Sequence, residues 1–150
     1  MKEDAIVKYQ SALDRSAYEG NVLWSRYSAI LIVNTIFIAI IGFSYSNEFD
    51  GTILQNYLFK IIAPILGLIL CYLWYQVTNR GFIWMTHWIV TARKIEEKQL
   101  RGEINPLIEG RELKEKIGEG VTEKASYVII MIISIVYAFI LFSNITLPTF

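Results

Sequence analysis

The chain has 150 residues, enough for one domain, and 54% of them are hydrophobic. Its 14 basic and 14 acidic residues balance, which excludes the general attraction of a basic protein for nucleic acid. One cysteine and one histidine exclude a disulfide framework and cannot build a typical zinc or iron site. The composition indicates a membrane protein with no metal, no other cofactor and no specific nucleic-acid binding.

The first 26 residues are charged and lack the apolar core of a signal peptide, so we expect them to be retained. Apolar side chains recur among them at roughly helical spacing, which predicts a cytoplasmic amphipathic helix over residues 1–26. These side chains are Ile6, Tyr9, Leu13 and Tyr18. The helix would lie against a longer cytoplasmic helix further along the chain.

Three apolar blocks follow, at residues 27–45, 57–78 and 126–143. Their lengths of 19, 22 and 18 residues lie within the roughly 17–25 residues that a helix needs to cross about 30 Å of hydrocarbon. Membrane strands would alternate with period two, and none of the blocks does so. The sequence therefore predicts an all-α membrane protein with three transmembrane helices.

The second block runs into a charged segment without a helix-breaking residue. Between residues 76 and 99 there is no proline, and Gly81 is the only glycine, so the second span should continue as one long cytoplasmic helix. Pro64 would kink its outer end or mark where the regular helix begins. Gly102 and the Asn105-Pro106 pair would end it.

The rest of the 79–125 segment predicts a short charged helix and a turn, with Thr122 capping the third span. Nine Lys and Arg residues lie between positions 80 and 124, whereas the loop at 46–59 has none and the tail from 143 has no charge. The positive-inside rule therefore places the N-terminus and the 79–125 segment in the cytoplasm. The C-terminus then lies outside.

Polar and small side chains within the spans predict contacts between helices. Asn34 lies near the centre of the first span, so its amide must bond to another helix, line water or bond within an oligomer. Gly67 and Cys71, four residues apart, form a small-residue face for close packing. Ser134 can return its hydroxyl to its own backbone.

The segment after the second span holds the main candidates for a functional site. Seven residues turn a helix by about 700°, so Arg80 and His87 share one face about 10 Å apart. Trp84 and Thr91 share that face. An arginine and a histidine at such a spacing occur in HEPN-type ribonucleases, where the pair acts on RNA across a dimer. Alternatively, Arg80 lies at the phosphate level of the inner leaflet, and His87 contacts a neighbouring helix together with Trp88.

Two acidic residues follow this segment. Glu96 and Glu97 adjoin Arg93 and Lys94, which predicts ion pairs at the surface or between subunits.

Two stretches resemble a known family. They are "SRYSAILIVNT" at positions 25–35 and "NRGFIWMTHWIVTARKIEE" at positions 79–97. Their order and their aromatic and charged residues are similar to those of RipA-type small octameric bacterial membrane proteins. These include the related Cas13b-associated pore-forming membrane proteins, which carry a HEPN-like Arg–His pair. The resemblance covers residues 20–100 and implies a homo-oligomeric ring in the bacterial inner membrane, with depolarisation of infected cells in the Cas13b-linked members.

The leading hypothesis is a ring-forming pore or membrane-perturbing module rather than an enzyme. The residues expected at its intersubunit contact or cytoplasmic mouth are Arg80, Trp84, His87, Trp88 and Thr91. Its partners would be the lipid bilayer, copies of itself and a cytosolic protein or RNA-guided effector. A second hypothesis is a membrane-tethered ribonuclease with Arg80 and His87 as catalytic residues. A third is a non-conducting scaffold that recruits a cytosolic partner.

Overall fold

The computed structural model describes residues 2–45, 58–100, 106–107, 109–110 and 121–146. Three long helices hold nearly all of them: α1 at Lys2–Phe43, α2 at Ala63–Gln99 and α3 at Val121–Thr146. Each contains a stretch long and apolar enough to cross a membrane, and these ranges contain no strand. The predicted all-α fold with three transmembrane helices is therefore confirmed.

Helix α1 is continuous over 42 residues and holds both the N-terminal segment and the first apolar block. Glu3 and Asp4 occupy its first turn, where negative charge is favourable beside the free backbone N–H groups. Its carboxyl end is closed by Ser44, whose N–H donates to the Ile41 carbonyl at 3.0 Å and whose hydroxyl donates to the same oxygen at 2.6 Å.

Helix α2 begins beside a proline and runs for 37 residues, about 55 Å at 1.5 Å per residue. A π-helical turn at Leu58–Ile62 precedes it, and Pro64 lies in its first turn, where its missing N–H has no intrahelical partner to lose. After Gln99, the Leu100 N–H still donates to the Glu96 carbonyl at 3.2 Å. The predicted stop residues Gly102 and Asn105 lie outside the described residues, as does most of the predicted short charged helix.

The chain forms two compact units. We call Arg26–Gln76 with Ser126–Phe150 the apolar unit, and Met1–Ser25 with Val77–Ala125 the charged unit. The buried core of the apolar unit consists of Tyr27, Ile41, Cys71, Trp74, Ile130 and Tyr137. Helix α3 turns its other side outward, with Met131, Ile135 and Phe139 exposed by 55%, 58% and 71%. An exposed face of this kind, made of apolar side chains, can contact the hydrocarbon interior of a membrane.

Two aromatic residues near the ends of the apolar blocks, where rings often lie at a membrane interface, are core residues. Tyr27 and Trp74 are 7% and 0% exposed, and their ring centroids lie 4.8 Å apart. The Tyr27 hydroxyl donates to the Ser126 carbonyl at 3.1 Å. Trp24, Tyr45 and Tyr75 remain more than a third exposed. A position near the end of an apolar block therefore does not distinguish an interfacial ring from a packed one.

The charged unit packs α1 against α2 through small side chains. Its core consists of Ala5, Tyr9, Ala12, Ala92 and Leu100. The apolar face predicted for the N-terminal helix is only partly buried. Tyr9 belongs to the core, whereas Ile6 and Tyr18 are 40% and 59% exposed. Small residues permit a closer approach of the two backbones, which allows the Ser16 hydroxyl to donate to the Met85 carbonyl at 3.3 Å.

Candidate functional site

Asn34 forms a polar contact between the three helices of the apolar unit. Its side chain is fully buried, and its amide Nδ2 donates to the Ile30 carbonyl at 2.9 Å. The Tyr137 hydroxyl donates to Asn34 Oδ1 at 3.2 Å, and Cys71 Sγ lies 3.8 Å from the same oxygen. Of the three environments expected for this amide, the structure gives it partners on the other two helices.

Tyr137 is the residue of this contact that the sequence did not single out. It is fully buried, and its ring lies directly against Gly67. A Cβ added to Gly67 would lie 2.5 Å from Tyr137 Cζ, so no larger residue fits beside the ring as it stands. The small face formed by Gly67 and Cys71 therefore receives Tyr137 and Asn34 of the same chain. The sequence did contain an indication of this contact, because Tyr137 is a tyrosine in the middle of a largely apolar span.

Two further polar groups of α3 differ in what they contact. Ser134 donates its hydroxyl to the Ile130 carbonyl at 2.8 Å, within its own helix. Asn144, near the end of α3, donates to the Lys60 carbonyl at 3.1 Å and to the Tyr45 hydroxyl. Lys60 Nζ lies 5.4 Å from the centre of the Tyr45 ring, a cation–π geometry. Asn144 therefore joins one end of all three helices of the apolar unit.

The face of α2 that carries Arg80 points away from the core of the charged unit. Arg80 and His87 are exposed, and Trp84 is 43% exposed. The Trp84 and His87 rings lie edge to face with centroids 5.9 Å apart, and the Thr91 hydroxyl donates to the His87 carbonyl at 2.9 Å. Among the described residues no hydrogen bond or ion pair joins Arg80 to His87.

Trp88 lies on a different side of α2 from the other candidates. It packs against the core of the charged unit, and its ring lies 6.0 Å from the Arg15 guanidinium. Its ring centroid is also 5.4 Å from that of His87. Trp88 therefore connects the exposed face to α1 within one chain.

Glu96 corrects one expectation from the sequence. It was predicted to form a surface or intersubunit ion pair, but it is 0% exposed. Both carboxylate oxygens accept from the Leu107 N–H, at 3.2 and 3.3 Å, and the Tyr9 hydroxyl also bonds to this carboxylate. Glu97, the next residue, is exposed. The carboxylate thus links three segments of the charged unit: the start of α1, the end of α2 and the two helical residues 106–107.

This bond makes the charged unit sensitive to alkaline pH. Burial raises the pKa of the Tyr9 phenol above its ordinary value of 10.0, and the Glu96 charge and hydrogen bond raise it further. The unfolded phenol therefore loses its proton first, so the stabilisation is complete below pH 10 and disappears as the pH rises through the raised pKa.

We expect Tyr9→Phe to lower stability by about 1 kcal/mol at neutral pH through loss of the hydrogen bond. The deficit should shrink as the pH rises above the ordinary tyrosine pKa. Thermal unfolding in detergent, followed across this pH range, measures the difference from wild type. Tyr18→Phe is the control, because Tyr18 is 59% exposed. A deficit that does not change with pH would contradict the assignment.

Among the described residues no three His, Cys, Asp or Glu side chains come together as a metal site.

The three apolar helices define an integral membrane protein whose buried polar groups join its own helices. Its sequence matches the model of the octameric membrane protein family (8xMP) over residues 6–146, and the chain belongs to this family. It is thus a membrane protein of a family described as homo-oligomeric. No curated protein and no solved structure matches the chain.

The family match is wider than the resemblance found in the sequence. That resemblance covered residues 20–100, whereas the match extends from residue 6 to residue 146. It therefore includes the N-terminal part of α1 and the whole of α3.

Proposed function

We propose that the chain assembles into a closed ring of eight copies in the bacterial inner membrane and that the ring forms a pore. The N-terminus and the charged unit would lie in the cytoplasm. The positive-inside rule predicts this orientation from the basic residues between positions 80 and 124. The family description supports the oligomer. Phage defence with a cytosolic, RNA-guided effector as partner is the biological role that the resemblance implies.

The difference between the exposed faces of α2 and α3 carries the proposal. Tyr72 is 61% exposed, and the Gln76 amide donates to its hydroxyl at 3.0 Å on the outer face of α2. Hydrocarbon disfavours such groups, whereas water or a neighbouring subunit accepts them. We therefore assign the exposed face of α2 that carries Tyr72 and Gln76 to the pore axis and the apolar face of α3 to lipid.

The test combines subunit mass with conductance. We expect native mass spectrometry in nanodiscs to give a ring and reconstituted vesicles to pass current. Gln76→Leu should keep the ring and lower the current several-fold, because it removes the polar group nearest the axis. Phe139→Leu, on the apolar face of α3, is the control and should leave the current unchanged. A monomer, or an intact ring without current, would refute the pore.

A second candidate uses exposed residues further along α2. Arg80 and His87 share an unobstructed face of α2, so a second copy could complete a ribonuclease site. Degradation of RNA by the purified protein, lost in His87→Ala with the ring mass unchanged, would favour this function. An intact ring that neither conducts nor degrades RNA would leave the scaffold hypothesis.

A further inference from the structure

The charged unit has two outward faces with different chemistry. The first belongs to α1 and forms an open groove of about 610 Å³. It is lined by Ile6, Val7, Gln10, Ser11, Asp14, Arg15 and Tyr18. At 100° per residue the groove lies roughly 170° around α1 from the buried stripe of Ala5, Ala12 and Ser16. Val7 and Tyr18 are 67% and 59% exposed, so large apolar side chains lie open among the polar side chains of the groove.

The second face belongs to α2 and lies on the opposite side of this two-helix layer. Its exposed residues are Arg80, Trp84, His87, Lys94 and Lys98. At 100° per residue their centre lies roughly 150° around α2 from the buried stripe that contains Phe82, Ala92 and Glu96. Each helix of the charged unit therefore buries one side against the other and presents the reverse side outward.

The two faces are complementary in charge. The groove side of α1 exposes two acidic residues, Glu3 and Asp14, and one basic residue, Arg15, whose guanidinium lies near the Trp88 ring of the same chain. The outer face of α2 exposes Arg80, Lys94 and Lys98. Asp14 and Lys94 form no ion pair among the described residues. Trp84 adds a large aromatic side chain, the kind that most often anchors a protein–protein contact.

We propose that the outer face of α2 in one copy docks into the α1 groove of the next copy. This inference rests on the ring proposed above and specifies its contact. Because the two faces differ and point in opposite directions, the contact is head-to-tail, and a docked pair leaves one face of each kind free. Repetition of such a contact closes a ring when the rotation between copies divides a full turn.

The packing within one chain gives the register of this contact. Ser16 lies beside Met85, and Tyr9 beside Glu96, which fixes the levels of α1 and α2 that correspond. Rotation about an axis normal to the membrane keeps every residue at its level. Counted along the two helices from these pairs, Asp14 of one copy meets residues 87–91 of the next. Thr91 lies at this level, and Lys94 follows within one turn of Thr91.

Cysteine cross-linking in membranes tests the contact. Cys71, the only native cysteine, is 2% exposed and can remain. We expect the double variant Asp14→Cys/Thr91→Cys to give an oxidised ladder up to the full ring, because the new thiols face each other between copies. Asp14→Cys/Arg80→Cys is the matched control. It uses the same two faces about 10–16 Å out of register, too far for a disulfide.

A charge exchange gives a second readout that needs no cross-link. Asp14→Lys should reduce the ring fraction in native mass spectra several-fold, and addition of Lys94→Asp should restore it. A wild-type ring with equal or no cross-linking in both cysteine pairs, or no rescue by the second substitution, overturns this contact and leaves the ring standing. A monomeric wild type overturns the ring itself.

Discussion

Gly67→Ala is expected to destabilise the apolar unit strongly. The added Cβ would lie 2.5 Å from Tyr137 Cζ and 2.6 Å from Cδ1, well inside van der Waals contact. Tyr137 is fully buried, so its ring can yield only by disturbing its neighbours. Overpacking of this kind costs about 1–3 kcal/mol. Displacement of the hydroxyl from Asn34 would add about 0.6–2 kcal/mol.

Gly42→Ala is the matched control, since a Cβ there meets nothing within 4 Å. It makes the same chemical change in an apolar helix, and it should be neutral or slightly stabilising. Thermal unfolding in detergent, with the folded fraction read by size exclusion, compares the two variants. Gly67→Ala/Tyr137→Leu should recover part of the loss by removing the ring. Equal midpoints for the two glycine variants would show that the packing around Gly67 is looser than described.

The three helices could be predicted from the sequence because a membrane span depends on length and composition. The long α2 could also be predicted, since no proline interrupts residues 76–99 and Gly81 costs only about 1 kcal/mol in a helix. Gly81 has a positive role in the fold, because a Cβ there would lie 2.6 Å from Leu23 Cδ1. Periodicity in the sequence predicts which helices form. A close approach such as this one cannot be predicted without knowing where the partner helix lies.

The polar contacts were predicted less completely. The cost of an unpaired amide in hydrocarbon required a partner for Asn34, but it did not identify Tyr137, 103 residues away. The interhelical hydrogen bond depends on how the helices rotate against each other, and three helices that are apolar nearly all round give no sequence signal for that rotation.

The surface position predicted for Glu96 was wrong because neighbouring charges were given more weight than helical spacing. Arg93 and Lys94 precede it, which favours an ion pair. Ala92 and Leu100, however, lie four residues before and after it, and both are buried. A residue between two apolar positions at that spacing belongs to the same stripe and is buried with them. The Leu107 N–H and the Tyr9 hydroxyl then make its burial tolerable.

Glu96→Ala should therefore destabilise the charged unit strongly. It leaves the Leu107 N–H and the Tyr9 hydroxyl without their acceptor, and each unsatisfied buried donor costs about 1–3 kcal/mol. Glu96→Gln keeps one acceptor oxygen but presents an N–H₂ group that cannot accept, so it should lie between alanine and wild type. Glu97→Ala is the matched control, because this side chain is exposed and should change stability by less than about 0.5 kcal/mol.

The effect can be localised through the aromatic residue beside the site. Trp88 packs against the same core as Tyr9 and Leu107, so its fluorescence should report loosening of the charged unit. With Trp24, Trp74 and Trp84 replaced by Phe, the Trp88 emission of Glu96→Ala should shift to longer wavelength at a lower temperature than that of Glu97→Ala. Transitions at the same temperature in both variants would mean that the carboxylate does not hold the three segments together. A lower transition for Glu96→Ala alone would establish the buried carboxylate as their link.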